Sequence, residues 1–305
     1  MTVGQYGPVS VRDHHTPRSL HGAKRYSNVR VRMKRGGALE KGVFSKSFST
    51  SGVLVSRRCS RAPQSEPTVR PAGVRLNAMC GRYVLKASAL DLQAQFHLDE
   101  VPQLFARYNI APTQAAPIIL DAAPRKLVVA QWGLVPHWAK DPKIAHQFIN
   151  ARAETLSEKG VFKELLEKHR CLVPADGFYE WRHEGKQRLP HFVHPPGGQL
   201  MAMAGLWSRW RSPEGMDLNT FVIVTTRANA ELQSLHDRMP VLLDAEGRQR
   251  WLSGATHDFA ALEELMHPWH QSKLEVTEVS THVNSVAVDD PQCLQPPAVQ
   301  QLRLL

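Results

Sequence analysis

The sequence predicts an α+β fold, a single domain of mainly antiparallel β sheets in a partly barrel-like arrangement with flanking helices. Short strand-like runs dominate the chain after residue 78, and turn signals such as those at 195–198 and 212–215 separate them. Helical patterns lie between the runs without the regular alternation of a doubly wound parallel sheet. The predicted domain covers residues 79–300, which is long enough for a sizeable core.

Each predicted element has a local reason. Runs rich in β-branched and aromatic residues, bounded by turn residues, predict strands at 82–85, 117–120, 126–132, 171–181, 191–194, 200–207, 221–225 and 274–279. Apolar residues at helical spacing predict helices at 88–96, 157–169, 228–235, 244–252 and 257–266. The first helix begins with a capping box, because Ser88 and Asp91 are spaced to cap each other's backbone.

The charge of the chain changes abruptly near residue 79. Residues 1–78 carry 15 lysines and arginines against three acidic residues, whereas the remainder has a net charge of −2. This basic stretch has no long apolar periodic run, so we expect it to be disordered. Three interpretations remain open: a misassigned start, a propeptide whose removal exposes Cys80, or a basic targeting or nucleic-acid-binding arm.

Composition also limits the classes of protein. No stretch of about 18 apolar residues is present, which argues against a membrane-spanning helix. The four cysteines form no CxxC pair, and His267 and His270 lack a convincing third ligand, so we expect no disulfide framework, metal or cofactor. The expected location is the cytoplasm, at the nucleoid if the source is bacterial.

Cys80 is the residue of greatest chemical interest. It follows Met79 at the change of composition, and removal of Met79 would leave Cys80 with a thiol and a free α-amine two carbons apart. Such an aminothiol condenses with an aldehyde to an imine and then, through sulfur attack, to a five-membered thiazolidine. The α-amine pKa near 8 leaves a useful unprotonated fraction at neutral pH.

Six motifs follow one another along the chain: MCGR at 79–82, RYNIAP at 107–112, QWGLVP at 131–136 followed by Trp138, INARAE at 149–154, PADGFYEW at 174–181 and LHDRMP at 235–240. In this order they resemble the SRAP (SOS response-associated peptidase) family of abasic-site processing proteins. The resemblance covers residues 79 to about 296. It implies a monomeric suicide crosslinker that begins at its cysteine and caps abasic sites in single-stranded DNA through a thiazolidine.

The resemblance also implies roles for individual residues. Glu180 becomes the acid/base, His236 assists imine formation or hydrolysis, and Asn150 orients the α-amine of Cys80. From the residues alone, Glu180 is either a proton shuttle on an aromatic-flanked strand or a surface partner of Arg182. Asn150 and Arg152 occupy alternate positions, hence one face if their segment is extended.

DNA binding is expected despite the slightly negative domain, because affinity depends on local basic residues at phosphates. Arg82, Arg107, Arg152 and Arg238 lie within motifs and could line one basic groove. Trp138 is preferred over Trp132 for stacking on splayed bases.

Other functions remain open at this stage. A weak lyase activity could accompany the imine. A cysteine peptidase with an N-terminal nucleophile would cleave itself between Met79 and Cys80. A module that binds single-stranded or modified DNA without covalent chemistry is the third possibility.

Overall fold

The computed structural model describes residues 80–120, 125–158, 160–254 and 258–298. The strands in these residues form two β sheets, both mainly antiparallel. The expectations for residues 1–79 lie outside these residues. In the described part of the chain, no helix is long and apolar enough to cross a membrane.

The first sheet has five strands and contains the segment that begins at Cys80. Every pairing in it is antiparallel. Its spatial order is β12 (Glu275–Glu278), β8 (Gln187–His194), β7 (Gly177–Glu184), β1 (Tyr83–Leu85) and β2 (Arg107–Ile110).

The second sheet has seven strands, five of which form a closed ring. The strands are β3 (Ala115–Leu120), β4 (Lys126–Trp132), β5 (Asn150–Arg152), β6 (Arg170–Ala175), β9 (Met201–Arg211), β10 (Asp217–Arg227) and β11 (Arg238–Pro240). The ring runs β4-β3-β6-β9-β10 and closes by a parallel pairing of β10 with β4, while β5 and β11 also pair with β10. The predicted antiparallel, partly barrel-like α+β fold is confirmed.

Asp176 and Gly177 mark the point where the chain passes from one sheet to the other. The sequence predicted one strand over 171–181, but this prediction was wrong, since β6 ends at Ala175 and β7 begins at Gly177. The Asp176 carboxylate accepts hydrogen bonds from the backbone of Lys86 and Ala87, at 2.7 and 3.1 Å. A Cβ on residue 177 would lie 2.5 Å from the Phe192 ring, so only glycine fits there.

In the part of the chain that the structure describes, four α-helices flank the sheets: α1 (Ala89–Phe96), α2 (Gly160–Lys168), α3 (Ala245–Leu252) and α4 (Phe259–Glu263). The capping box of Ser88 and Asp91 is confirmed at the start of α1. The predicted helix at 228–235 is wrong, because residues 230–235 form turns. There the Asn229 side chain accepts the backbone N–H of Leu232 at 3.2 Å, as at a helix start, but the backbone bonds that follow mix i→i−3 and i→i−4 spacing, so no regular helix forms.

The faces of β7 divide between two parts of the core. Phe178 belongs to the large core shared by the closed ring, whereas Tyr179 and Trp181 pack with Val279, Val283 and Cys293 near the C-terminal end of the described chain. The predicted alternation along 178–182 therefore holds for these aromatic residues. Glu180 lies on the Phe178 side of the strand, which determines its environment.

Candidate active site

Cys80 and Glu180 form a buried pair. The backbone nitrogen of Cys80 donates a hydrogen bond to Glu180 Oε1 at 2.6 Å. The side chains are 2% and 3% exposed, respectively. Strand β1, which follows Cys80, pairs with β7, which carries Glu180, so the sheet itself fixes this contact. The interpretation of Glu180 as a surface residue paired with Arg182 is excluded by its burial.

The environment of Glu180 favours its protonated form. Burial raises the pKa of this carboxyl to about 8, the backbone N–H groups of Cys80 and Trp181 oppose the rise, and the charge of Asp237 adds to it. Burial and the neighbouring Glu180, which accepts a hydrogen bond from the thiol, raise the pKa of Cys80 well above its ordinary value. Both potential nucleophiles of Cys80 thus face one carboxyl group, which can exchange protons at neutral pH.

Asn150 and Arg152 lie on the short strand β5, beside the C-terminal half of β10. The register pairs Ile223 with Asn150 and Thr225 with Arg152. The segment is extended, as the shared-face argument required, and Ala151 between them is buried in the core. Asn150 is partly buried and Arg152 is exposed. The two side chains therefore occupy one face at the solvent side of the ring.

His236 precedes β11, on the other side of β10 from β5. Its Nδ1 accepts the backbone N–H of Arg238 at 3.1 Å and lies 2.9 Å from Asp237 Oδ1. The contact with Arg238 needs an unprotonated Nδ1, whereas an ion pair with Asp237 needs a protonated one. Burial lowers the pKa of His236, which favours the neutral ring that accepts from Arg238. The charge of Asp237 opposes this lowering, and it also acts on Glu180, so these groups are electrostatically coupled.

A cleft of about 470 Å³ adjoins Cys80. Arg82 and Arg188 lie on its wall, each with its guanidinium within 5.8 Å of the Trp181 ring centre, and burial and the charge of Arg188 lower the pKa of Arg82. We call this the arginine cleft; it is lined by Gly81, Arg82, Ala111, Pro112, Trp181, Arg188, Asn284 and Val286.

A second opening of about 660 Å³ lies at the end of β10. Arg152 and Arg238 both line it, but they differ in their contacts. Arg238 is buried and forms a bidentate pair with Glu154, at 2.6 and 2.9 Å. We call this opening the strand-edge groove; it is lined by Arg152, Glu154, Thr155, Arg227, Ala228, Gln233, Asp237 and Arg238.

The four predicted DNA-binding arginines do not all line the same opening. Arg82 lines the arginine cleft, and Arg152 and Arg238 line the strand-edge groove. Arg107 pairs with Asp289 and donates to Gln114 Oε1 at 2.7 Å. Arg152 is the exposed member of this set.

The two tryptophans of the QWGLVP region differ as the sequence suggested. Trp132 is fully buried, donates from Nε1 to the Ile149 carbonyl at 2.8 Å, and packs against Tyr83 and Phe221. Trp138 is 60% exposed. Trp138 is thus available for stacking, and Trp132 belongs to the core.

Sequence reasoning missed three residues of this region. Asp237 could have been found from the sequence, because it adjoins His236 in a motif. Its effect on the pKa of Glu180, however, is visible only in the folded chain. Arg188 lies in no motif and reaches the arginine cleft through the β7–β8 hairpin. Asn109 sits in a quoted motif; it is fully buried and accepts from Arg82 at 2.9 Å.

The fold and this site define a protein that holds a buried carboxyl group against the backbone of a cysteine, beside two arginine-containing openings. The chain belongs to the family described as SOS response associated peptidase (SRAP), whose model matches residues 79–286.

Similar proteins cover the same part of the chain. It is 40% identical over 222 residues to the abasic site processing protein YoqW of Bacillus subtilis (strain 168), a match that covers 71% of this chain and 99% of that protein. It is 34% identical over 222 residues to the abasic site processing protein HMCES of Gallus gallus, covering 62% of this chain and 66% of that protein. A crystal structure of a protein from Bacteroides thetaiotaomicron matches with a TM-score of 0.65 and 28% identity, over 71% of this chain and 99% of that one.

Proposed function

We propose that this protein processes abasic sites in single-stranded DNA, by forming a covalent thiazolidine crosslink at Cys80. The similar proteins from Bacillus subtilis and Gallus gallus are abasic site processing proteins, which supports the abasic site as substrate. The observation that carries the chemistry is the 2.6 Å contact between the Cys80 backbone nitrogen and the buried Glu180 carboxyl. That nitrogen is the atom that would attack the aldehyde.

This chemistry requires a working protein that begins at Cys80. Met79, the first residue of the proposed domain over 79–300, would then be removed. In the full chain the Cys80 nitrogen is an amide, which is not nucleophilic. Release of Met79 would convert it to an α-amine whose ordinary pKa lies near 8. The positive charge of an ammonium group beside Glu180 would favour the ionised carboxylate. The Cys80 amine and the Glu180 carboxyl group would then share one proton, which either group can donate during the reaction.

The first bond forms between nitrogen and carbon. An abasic site in its open-chain form presents an aldehyde at C1′. Glu180 takes a proton from the Cys80 ammonium, and the free amine attacks C1′ to give a carbinolamine. Glu180 then returns the proton to the hydroxyl group, which leaves as water, so that a protonated imine and the Glu180 carboxylate remain.

The second bond closes the ring. The Cys80 thiol gives its proton to the Glu180 carboxylate, sulfur attacks the carbon of the protonated imine, and the nitrogen becomes the neutral ring amine. The balance is one aldehyde and one aminothiol giving one thiazolidine and one water. The raised pKa keeps the Cys80 thiol protonated at first, which suits this order, because sulfur attacks only after the imine has formed.

The other site residues position the reactants. Asn150 would orient the amine, and the neutral His236 would assist loss of water. Arg152 would bind a phosphate, with Arg82 contributing positive charge in the arginine cleft and Trp138 offering a stacking surface. Arg107 and Arg238 would support the site through their ion pairs with Asp289 and Glu154. Before ring closure the imine also permits β-elimination, which would give a weak lyase activity.

A denaturing gel separates the candidate functions. A chain expressed from Met79, shown by mass to begin at Cys80, should shift abasic single-stranded DNA without a reductant. The full chain, shown by mass to retain residues 1–79, should bind the DNA without a heat-stable shift. Equal crosslinking by that intact full chain would contradict the proposal. Self-cleavage between Met79 and Cys80 without any crosslink would favour the peptidase, and binding without either would favour a non-covalent module.

A further inference from the structure

A second cluster of chemically active side chains lies outside the Cys80 site. His282, Asp290 and Cys293 place one imidazole nitrogen, one carboxylate oxygen and one sulfur within 4.8 Å of one another. His282 Nε2 and Asp290 Oδ2 are 3.1 Å apart. Cys293 is fully buried, whereas the other two are partly exposed. In the part of the chain that the structure describes, this is the group of three such residues with metal-ligand spacing.

Two short helical turns hold these side chains in place. His282 lies in the turn Thr281–Asn284, which Ser280 caps, and Cys293 lies in the turn Pro291–Leu294, which Asp290 caps. Asp290 divides its carboxylate between two tasks, since Oδ1 accepts the Gln292 N–H at 2.8 Å and Oδ2 faces His282. A backbone hydrogen bond of 2.7 Å from Ser280 to Gln295 joins the two turns.

From these three ligands we propose a zinc site that clamps the two turns together. Sulfur, imidazole and carboxylate are the ligands that Zn²⁺ takes, and bond lengths of about 2.0–2.3 Å put tetrahedral ligand atoms about 3.3–3.6 Å apart. The 3.1 Å separation of His282 and Asp290 already approaches that spacing. Since all three ligand atoms lie within 4.8 Å of one another, the Cys293 sulfur would need to move by up to about 1.5 Å. On binding, its thiol releases a proton to solvent, and water takes the fourth position.

The sequence alone did not reveal this cluster. His282, Asp290 and Cys293 match none of the usual zinc spacings, and the sequence predicted no metal. The turns bring the three ligands together because the chain reverses between them. The cluster is therefore a product of tertiary structure.

The clamp has a structural consequence for the arginine cleft. The segment between the ligands supplies the Val283 carbonyl, which accepts from Arg82 at 2.9 Å, and the Asn284 side chain, which accepts from Trp181 Nε1 at 2.6 Å. It also supplies Asp289, whose carboxylate accepts from the backbone of Asn109 at 2.9 Å. A bound metal would hold all of these groups against the five-stranded sheet.

The test uses the full chain after removal of metal by a chelator, with zinc alone as ligand and cobalt as an optical probe. We expect one zinc per chain and a near-ultraviolet cobalt–thiolate band. His282→Gln and Cys293→Ser should each weaken zinc binding by more than about 100-fold, beyond the usual effect of losing an outer-sphere partner. Zinc should raise the melting temperature of the wild type and leave that of His282→Gln unchanged.

Two controls separate this site from other thiols and imidazoles. His270→Gln removes an exposed histidine and should retain the zinc. Cys80→Ser should retain the cobalt–thiolate band, because the sulfur comes from Cys293. If Cys293→Ser fails to fold, as judged by circular dichroism, the partly exposed His282→Gln carries the test. Absence of stoichiometric zinc in the wild type, or a band that survives in a folded Cys293 or His282 variant, would show that the cluster is an ion pair beside a core cysteine.

Discussion

The five-stranded sheet and the closed ring each bury a cysteine, but the groups that contact the two cysteines differ. Cys80 lies before β1 with its nitrogen and its thiol against Glu180. Cys171 lies on β6 with its sulfur against the backbone of Gly205, where an added Cβ would be 2.9 Å away. Burial raises the thiol pKa of both residues. A raised thiol pKa therefore does not distinguish the reactive candidate from the core residue.

The difference lies in the neighbouring carboxyl group. The ring surrounds Cys171 with hydrocarbon, whereas β7 brings one buried carboxyl to Cys80, and that carboxyl contacts both the nitrogen and the sulfur. A condensation that moves protons at nitrogen, oxygen and sulfur needs such a group close by. The comparison leads to four predictions.

The largest effect is expected when each of the two cysteines is replaced by alanine in a separate variant. In a chain that begins at residue 80, Cys80→Ala keeps the amine but loses sulfur, so heat-stable crosslinking to abasic DNA should disappear and only a borohydride-trapped imine should remain. Cys171→Ala should crosslink normally and lose only about 1 kcal/mol of stability, the usual cost of a point substitution. Denaturing gels with and without borohydride measure both, and a heat-stable crosslink in Cys80→Ala would remove the basis of the comparison.

Next in size is the loss of proton transfer in Glu180→Gln. The amide retains the size of the side chain but cannot exchange the proton, so single-turnover crosslinking should slow by about 10²–10⁴-fold. Binding of intact single strands should barely change, because a buried carboxyl adds nothing to phosphate attraction. Rates measured from about pH 5 to 8 should also lose much of their pH dependence. A wild-type rate across that range would make Glu180 structural and His236 the leading candidate.

Glu180 should also make the stability of the full chain depend on pH. Its pKa is raised from 4.5 to about 8 in the folded protein, so the folded state keeps a proton that the unfolded state loses. Stability is therefore greatest below the unfolded value and should fall as pH rises through about 8, by at most about 5 kcal/mol. Denaturant unfolding of wild type and Glu180→Gln, compared across pH, cancels the other titrating groups. Parallel pH profiles would indicate an ordinary carboxyl pKa.

A smaller contrast separates two arginines of the strand-edge groove. Arg152→Ala should weaken binding of undamaged single-stranded DNA by about 1–3 kcal/mol and reduce the salt slope by roughly 0.7, with an unchanged melting temperature. Arg238→Ala should instead lower stability by about 1–3 kcal/mol, because it leaves Glu154 without its bidentate partner. Salt titrations and thermal melts measure the two effects. An Arg238 variant that loses DNA affinity at full stability would show that both arginines bind phosphate.

Local patterns predicted much of the fold correctly. The strand over 126–132, the capping box at Ser88 and the absence of a doubly wound sheet all follow from short-range signals. The helix predicted at 228–235 was wrong because the backbone bonds after Asn229 close separate turns and not a continuous i→i−4 series, which periodicity does not register. The strand predicted over 171–181 was wrong because Asp176 and Gly177 interrupt the apolar run, and the chain changes from one sheet to the other at that point.

The sequence by itself determined the family motifs, the change of charge near residue 79 and the identity of Cys80, Asn150, Glu180 and His236 as candidates. These depend on residue type and order, which are visible without a fold. Only the tertiary structure decided that Glu180 is buried against the Cys80 nitrogen, that Arg238 is held by Glu154 while Arg152 is exposed, and that His282, Asp290 and Cys293 converge. Burial and charge pairing depend on residues distant in the chain, so they arise only when the sheets bring those residues together.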